Sequence, residues 1–291
     1  MSIAITGASG QLARLTTEAL LEKVDPGDLI LVTRTPEALA ELAARGVDVR
    51  AGDFGAPESL PAAFAGAEKL LLISAAILGE RVPDHFAAID AAVAAGVRSI
   101  AYTSIVNPSD SNPGAAAADH RATEERVRVS GAAWTFLRNS IYAEMQVAPG
   151  AAALATGTLL SNAGDGRTAY VARADCAAVA AAVLTSDGHE GKAYDVTGPE
   201  PLSARDLAAL YSEIGGKPVE AVLIDDDAWV AAMVEHAGLP EPLARQLATF
   251  GIAARHGYAE PVSSAVEDLT GRPPRTTRQV LEDELPGLLD G

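Results

Sequence analysis

Residues 3–13 read Ile3-Ala4-Ile5-Thr6-Gly7-Ala8-Ser9-Gly10-Gln11-Leu12-Ala13, and this stretch decides the fold. It opens as a short apolar strand and closes on residues 11–23, where apolar side chains recur at helical spacing. Between them Gly7, Gly10 and Ala13 stand at the spacing G-x-x-G-x-x-A. Gly7 permits a tight turn, Gly10 lets backbone N–H groups approach a pyrophosphate, and Ala13 lets helix pack closely on strand. The first turn of that helix contributes partial positive charge. Strand, turn and helix in this order predict a dinucleotide-binding βαβ unit.

The pattern repeats outward from there. Strands are predicted over residues 29–33, 47–49, 69–73, 99–103 and 134–137. Helices are predicted from Pro36 and over 57–64, 82–95 and 115–129, with Gly96 and Gly131 as stops. Strands that are apolar throughout, alternating with helices, signal a parallel sheet covered on both faces. The fold class is therefore α/β, a doubly wound parallel (Rossmann) sheet. Past residue 150 the pattern changes. Gly164-Asp165-Gly166 is a turn, 174–184 a helix, and 193–196 a strand that extends the same sheet. From Gly198 helices dominate, one of them opened by a capping box from Ser203 to Asp206. A strand over 219–224, helices over 228–237 and 242–248, and a last helix over 277–284 complete the chain. Residues 1–152, with 174–197 returning to them, are read as the NAD(P)-binding domain. Residues 198–291, with 153–173, are read as a smaller, mainly helical C-terminal lobe on the substrate side.

The 291 residues carry a formal net charge of −17, which repels phosphate backbones and anionic lipid. Nucleic acid and membrane surfaces are thus excluded as general partners. A lone cysteine, Cys176, offers no disulfide framework and suits a reducing compartment. The first residues show neither a basic lead nor a long apolar run, so the expected address is cytoplasmic. Composition leaves the oligomeric state open, a homodimer included.

Arg34 follows the second strand, where an NAD-specific site would place an acid for the ribose hydroxyls. An arginine there can pair with a 2′-phosphate, which favours NADP(H) and leaves NAD(H) as the second choice. Asp53, after the third strand, could accept from the adenine amino group; it also suits a helix entry. Ser74-Ala75-Ala76 follows the fourth strand, where the chain passes the nicotinamide ribose. No lysine (Lys23, Lys69, Lys192, Lys217) lies four residues after a tyrosine, so the Tyr-x-x-x-Lys dyad of ketone reduction is absent. A quinone does not need that dyad, because orientation of its ring against the nicotinamide carries most of the catalysis. Tyr142, Asn139 and His120 are candidates for the chemistry, and Ser104 for the cofactor. Tyr142 could stack on or hydrogen-bond such an acceptor, or be a half-buried aromatic between the lobes. His120 could donate a proton, or sit on a helix surface. Ser104 stands at a strand end beside the cofactor, or caps the next segment. Cys176 reads as core, and His85, His189, His236 and His256 are scattered without metal-ligand spacing. Asp225-Asp226-Asp227 reads as a solvated helix start.

Several segments occur in order: Gly7 to Leu12, Leu70-Leu71-Leu72-Ile73-Ser74, Ala101-Tyr102-Thr103-Ser104, Leu137-Arg138-Asn139 with Tyr142, and Arg173-Ala174-Asp175. Together they resemble the NmrA-like atypical short-chain dehydrogenases, and within them the bacterial type-2 NAD(P)H:quinone oxidoreductases. The resemblance implies that Gly7, Ser9, Gly10, Gln11 and Leu12 hold the pyrophosphate and Arg34 the 2′-phosphate. It implies that Ser74 and Ala75 line the cofactor cleft, with Asn139 and Tyr142 beside the nicotinamide and Arg173 reaching back toward it. The implied activity is hydride transfer to a quinone or related conjugated carbonyl. Two departures stand out: Ala13 where relatives often carry glycine, and Glu125 where they often carry lysine. A non-catalytic redox sensor, or a tailoring enzyme acting on a polycyclic quinone, are the alternatives.

Overall fold

The computed structural model describes residues 1–75 and 81–289. The chain runs β1 (Ile3–Ile5), α1 (Gln11–Leu21), β2 (Leu29–Thr33), α2 (Ala40–Ala44), β3 (Asp48–Ala51), α3 (Leu60–Phe64) and β4 (Lys69–Leu72). It continues through α4 (Arg81–Ala94), β5 (Ser99–Ile105), α5 (Ala115–Arg128), β6 (Ala133–Asn139), α6 (Val147–Thr156), β7 (Thr158–Ser161), α7 (Arg173–Thr185) and β8 (Lys192–Val196). The rest is α8 (Ala204–Gly215), β9 (Glu220–Leu223), α9 (Asp226–Ala237), α10 (Glu241–Arg255), α11 (Ala265–Thr270) and α12 (Thr277–Leu289).

Seven strands form one parallel sheet in the order β3-β2-β1-β4-β5-β6-β8. Side chains alternate across it, as the pleat requires. Ile3, Ile5, Leu29 and Leu31 pack under α1 and α7, whereas Ala4, Ile30 and Val32 pack with Leu60, Phe64 and Ile89 on the other face. Both faces are covered, which is why the strands read as continuous apolar runs. The strand order reverses between β1 and β4. A crevice therefore opens at the carboxyl ends of these two strands, and ligands of such sheets bind there.

β5 and β6 run two residues further than the apolar pattern suggested. Ser104 pairs with Arg138 and Ile105 with Asn139 in register, and β8 supplies the next partner for both β6 residues. Three elements went unread: α6, β7 and α11. Pro149 and Gly150 disguise α6, yet proline is tolerated in a first helical turn, whose N–H groups need no partner. β7 pairs in parallel with β9 as a separate two-stranded sheet. The smaller lobe is built on Tyr211, fully buried among Val147, Leu154, Leu207, Leu281 and Leu285. Its core thus takes Val147 from the segment read as sheet domain. Conversely, Val266 of α11 lies in the sheet's main core beside α7. The capping box at Ser203 is present, with the Asp206 amide donating to Ser203 Oγ and the Ser203 amide to Asp206 Oδ2. Asp225 likewise caps α9 through the Ala228 amide. Among the described residues no helix is long and apolar enough to cross a membrane.

Candidate active site

The glycine turn stands at the switch point. Gly7 has φ +60°, a left-handed conformation that costs a side-chain-bearing residue about 1–2 kcal/mol. The Ala8 amide donates to Val32 O at 3.1 Å and ties the turn to β2. The Gly10 amide closes the turn on Gly7 O at 2.9 Å, and a Cβ on Gly10 would lie 3.1 Å from that same oxygen. α1 then starts at Gln11 with no side-chain cap and no acidic residue in its first turn. Its leading N–H groups stay open to an anion, the arrangement a pyrophosphate fits. Leu12 is 7% exposed, its side chain spent on the core, so only its backbone can serve such a ligand. Ser9 is exposed, and its Oγ accepts from Thr33 Oγ1 at 3.2 Å. Arg14 holds the turn from behind, with Nε on Ser9 O, Nη2 on Ala38 O and Nη1 on Glu41.

Arg34, just past β2, is exposed and makes no hydrogen bond or ion pair among the described residues. A guanidinium left free at the rim of the crevice suits a phosphate. Asp53 sits in a turn after β3, where its Oδ1 accepts from the Gly55 amide at 3.0 Å and its own amide donates to Ser59 Oγ. The carboxylate is engaged in shaping that turn and leaves Oδ2 for a further donor. Beyond β4 three consecutive amides find side-chain acceptors, each at 2.9 Å: Ile73 on Thr6 Oγ1, Ser74 on Thr103 Oγ1, Ala75 on His85 Nε2. Ala76 lies outside the described residues.

The end of β6 supplies the other wall. Asn139 Nδ2 donates to Tyr142 Oη at 3.4 Å, while Asn139 Oδ1 and Ser140 Oγ are buried without a partner among the described residues. A buried acceptor without a donor is costly unless a ligand supplies one. Because Tyr142 Oη accepts from Asn139, its own proton stays uncommitted. Burial first, and then neighbouring Cys176, raise the Tyr142 phenol above its ordinary range, so it remains a neutral donor. The Arg173 guanidinium lies 5.1 Å from the centre of the Tyr142 ring. It also faces Glu144, whose carboxylate accepts from the Arg173 backbone amide at 2.9 Å at the start of α7. Next to Asn139 and Tyr142, Ile141 joins Ile105, Val106, Phe250, Ala253 and Tyr258 in the lining of an apolar cavity between the sheet and α10.

Two expected residues are placed elsewhere. His120 is 5% exposed and faces inward, with Tyr102 Oη 2.8 Å from its Nδ1. Burial, then the charge of Arg81, hold its pKa well below the usual imidazole value. The ring is neutral at neutral pH, which removes the imidazolium proton it was expected to give and also excludes a helix-surface position. The Ser104 hydroxyl is buried and donates to Glu124 Oε1 at 2.7 Å rather than facing an open cleft. Glu124, 1% exposed, also receives Arg138 through two bonds of 2.9 and 2.8 Å. Sequence reading passed over this buried carboxylate, as it did His85, because each acts through partners far away in the chain. Glu125, the departure noted above, is exposed and faces Arg128 at 3.8 Å. Cys176 is buried in the core.

A doubly wound sheet with an uncapped helix start at its switch point defines a dinucleotide-binding protein. Residues 7–187 match the family model described as NAD(P)H-binding, and the chain belongs to that family. Quinone oxidoreductase 2 of Escherichia coli is 40% identical over 274 residues, covering 94% of this chain and 95% of the relative. The crystal structure of the NADPH-dependent quinone oxidoreductase from that organism, complexed with NADPH, superposes with a TM-score of 0.93 at 39% identity, covering 97% and 99% of the two chains. Citrobacter sp. triphenylmethane reductase complexed with NADP(H) gives 0.89 at 36% identity, covering 98% and 100%. An NAD(P)H azoreductase of Xenophilus azovorans is 31% identical over 274 residues, 94% of each chain.

Proposed function

We propose that this chain is an NAD(P)H-dependent oxidoreductase that passes a hydride to a quinone or related conjugated carbonyl. The observation that carries the reading is the wall at the end of β6, where Asn139 Oδ1 has no partner among the described residues and Tyr142 accepts from Asn139 with its own proton left over. The uncapped start of α1 and the free Arg34 fit a phosphorylated dinucleotide. When bound, the nicotinamide supplies the hydride. Gly7, Ser9, Gly10, Gln11 and Leu12 hold the pyrophosphate, and Arg34 receives the 2′-phosphate. Asp53 faces the adenine, while Ser74 and Ala75 border the nicotinamide ribose. Asn139 orients the nicotinamide end, and Arg173 holds the Tyr142 ring from one face. Tyr142 donates a hydrogen bond to an acceptor oxygen, and burial keeps that donor protonated across neutral pH. His120 and Ser104 support this wall from behind rather than touching the reactants.

An acceptor whose reduced oxygens are weakly basic takes its last proton from water, which accounts for the absence of a tyrosine–lysine pair. The names of the relatives point to the same class of flat, conjugated acceptors. The cytoplasmic address belongs to this reading too, supported by the lone buried Cys176. The test is NADPH consumption with a panel of benzoquinones and naphthoquinones, with azo and triphenylmethane dyes alongside. Turnover of quinones is expected. Cofactor binding without turnover above background on any quinone would overturn the proposal.

A further inference from the structure

Residues 73–75, just after β4, are held by side chains from three different places in the chain. Thr6 follows β1, Thr103 belongs to β5 and His85 to α4, and each takes one amide from residues 73–75. His85 is the most constrained of the three. Thr123 Oγ1 donates its proton to Asp119 O at 2.8 Å. It therefore meets His85 Nδ1, 2.9 Å away, as an acceptor, and the imidazole proton must sit on Nδ1. That leaves the Nε2 lone pair facing the Ala75 amide. One turn earlier on the same face of α4, Arg81 Nη1 donates to Ala75 O at 3.1 Å, and its Nε pairs with Asp119. Both polar groups of Ala75 are thus held from α4, and α4 is held in turn by Asp119 and Thr123 of α5. His85 is fully buried, and burial together with the Arg81 charge keeps its ring neutral and able to accept.

We propose that His85 is a positioning residue of the cofactor cleft. Through the Ala75 amide it fixes residues 73–75, which receive the nicotinamide half of the dinucleotide. The inference rests on the placement of Ser74 and Ala75 beside the nicotinamide ribose in the proposed function. Its consequence is selective. The adenine half, held by the glycine turn and Arg34, does not depend on His85, whereas the nicotinamide half does.

Two probes separate these halves: NADPH, and adenosine 2′,5′-bisphosphate, which lacks the nicotinamide and its ribose. Their dissociation constants are measured by calorimetry for wild type, His85→Leu, His85→Gln and Thr123→Val. His85→Leu weakens NADPH by roughly five- to tenfold, the scale of one lost hydrogen bond, and leaves adenosine 2′,5′-bisphosphate within about twofold. His85→Gln, which can still accept from Ala75 and donate to Thr123, restores most of the NADPH affinity. Thr123→Val is nearly isosteric and keeps the fold testable should His85→Leu fail to fold. By removing the acceptor that fixes the tautomer, it lowers NADPH affinity in the same selective way. Equal weakening of both probes, unchanged NADPH affinity in folded variants, or no recovery with His85→Gln would overturn the proposal. These are binding measurements, so a wild-type protein that binds NADPH but reduces no quinone would refute the activity and leave this inference standing.

Discussion

Among the described residues, the charged side chain of Arg34 has no partner. The site's other arginines are engaged: Arg14 bridges Ser9, Ala38 and Glu41, and Arg173 faces Glu144 and the Tyr142 ring. A guanidinium forms a bidentate, charge-assisted pair with a phosphate, whereas a ribose hydroxyl offers it only a neutral acceptor. Replacing Arg34 with alanine therefore separates the two cofactors. Loss of one charged hydrogen-bonded contact, about 1.5–3 kcal/mol, raises the dissociation constant for NADPH by roughly 10- to 100-fold. NADH, lacking the 2′-phosphate, binds as it does to wild type. Titration of both cofactors into Arg34→Ala checks this, and an equal loss for both would show that Arg34 does not read the phosphate.

α6 shows how one element can depend on a single absent side chain. A Cβ on Gly150 would lie 2.6 Å from Tyr211 Cε1 and 2.9 Å from Cδ1. The ring cannot swing aside cheaply, because its hydroxyl donates to Gln146 O at 2.9 Å and it is fully buried. Alanine gains up to about 1 kcal/mol over glycine in a helix interior, but overpacking a filled core costs about 1–3 kcal/mol. At so short a contact the clash wins. Gly150→Ala is expected to lower Tm by several degrees, and Tyr211→Leu beside it to remove most of the further loss, as a thermal double-mutant cycle would read. The same element marks where the sequence stopped being legible. The doubly wound sheet was readable because Ile3 to Ile5, Leu29 to Thr33 and Leu70 to Leu72 are buried on both faces and cannot be mistaken for an exposed strand. The glycine turn was readable because its spacing is local. α6 was not, since Gly150 answers to Tyr211, and the reason for the glycine lies far along the chain. His85 and Glu124 escaped for the same cause: no motif announces a residue whose partners are Ala75 and Thr123, or Ser104 and Arg138.

At the scale of the whole molecule, buried neutral histidines make the fold sensitive to mild acid. Burial, then Arg81, lowers the His85 pKa from 6.5 to about 4, and His120 is lowered well below its ordinary value by burial and the same arginine. In the unfolded chain both titrate near 6.5. Above that pH each is neutral in both states and contributes nothing to pH dependence. Between about 6.5 and 4 the unfolded chain binds protons that the folded chain refuses, so stability falls as pH falls. At pH 5 the effect is on the order of 2 kcal/mol for His85 alone, a large part of an ordinary folding free energy. Opposing effects exist. Acidification relieves the repulsion within a chain of net charge −17, and burial raises the Asp195 and Glu284 carboxyls, which favours the folded state as they protonate. Exposed carboxylates, however, titrate near pH 4, below most of this window, so the histidines dominate it. Urea unfolding of wild type should therefore show markedly lower stability at pH 5 than at pH 7. His85→Gln, which keeps the hydrogen bonds and carries no titrating group, should remove the His85 part of that fall and leave the rest. An unchanged pH slope in a folded His85→Gln variant would show that the ring is protonated in the native state as readily as in the unfolded one.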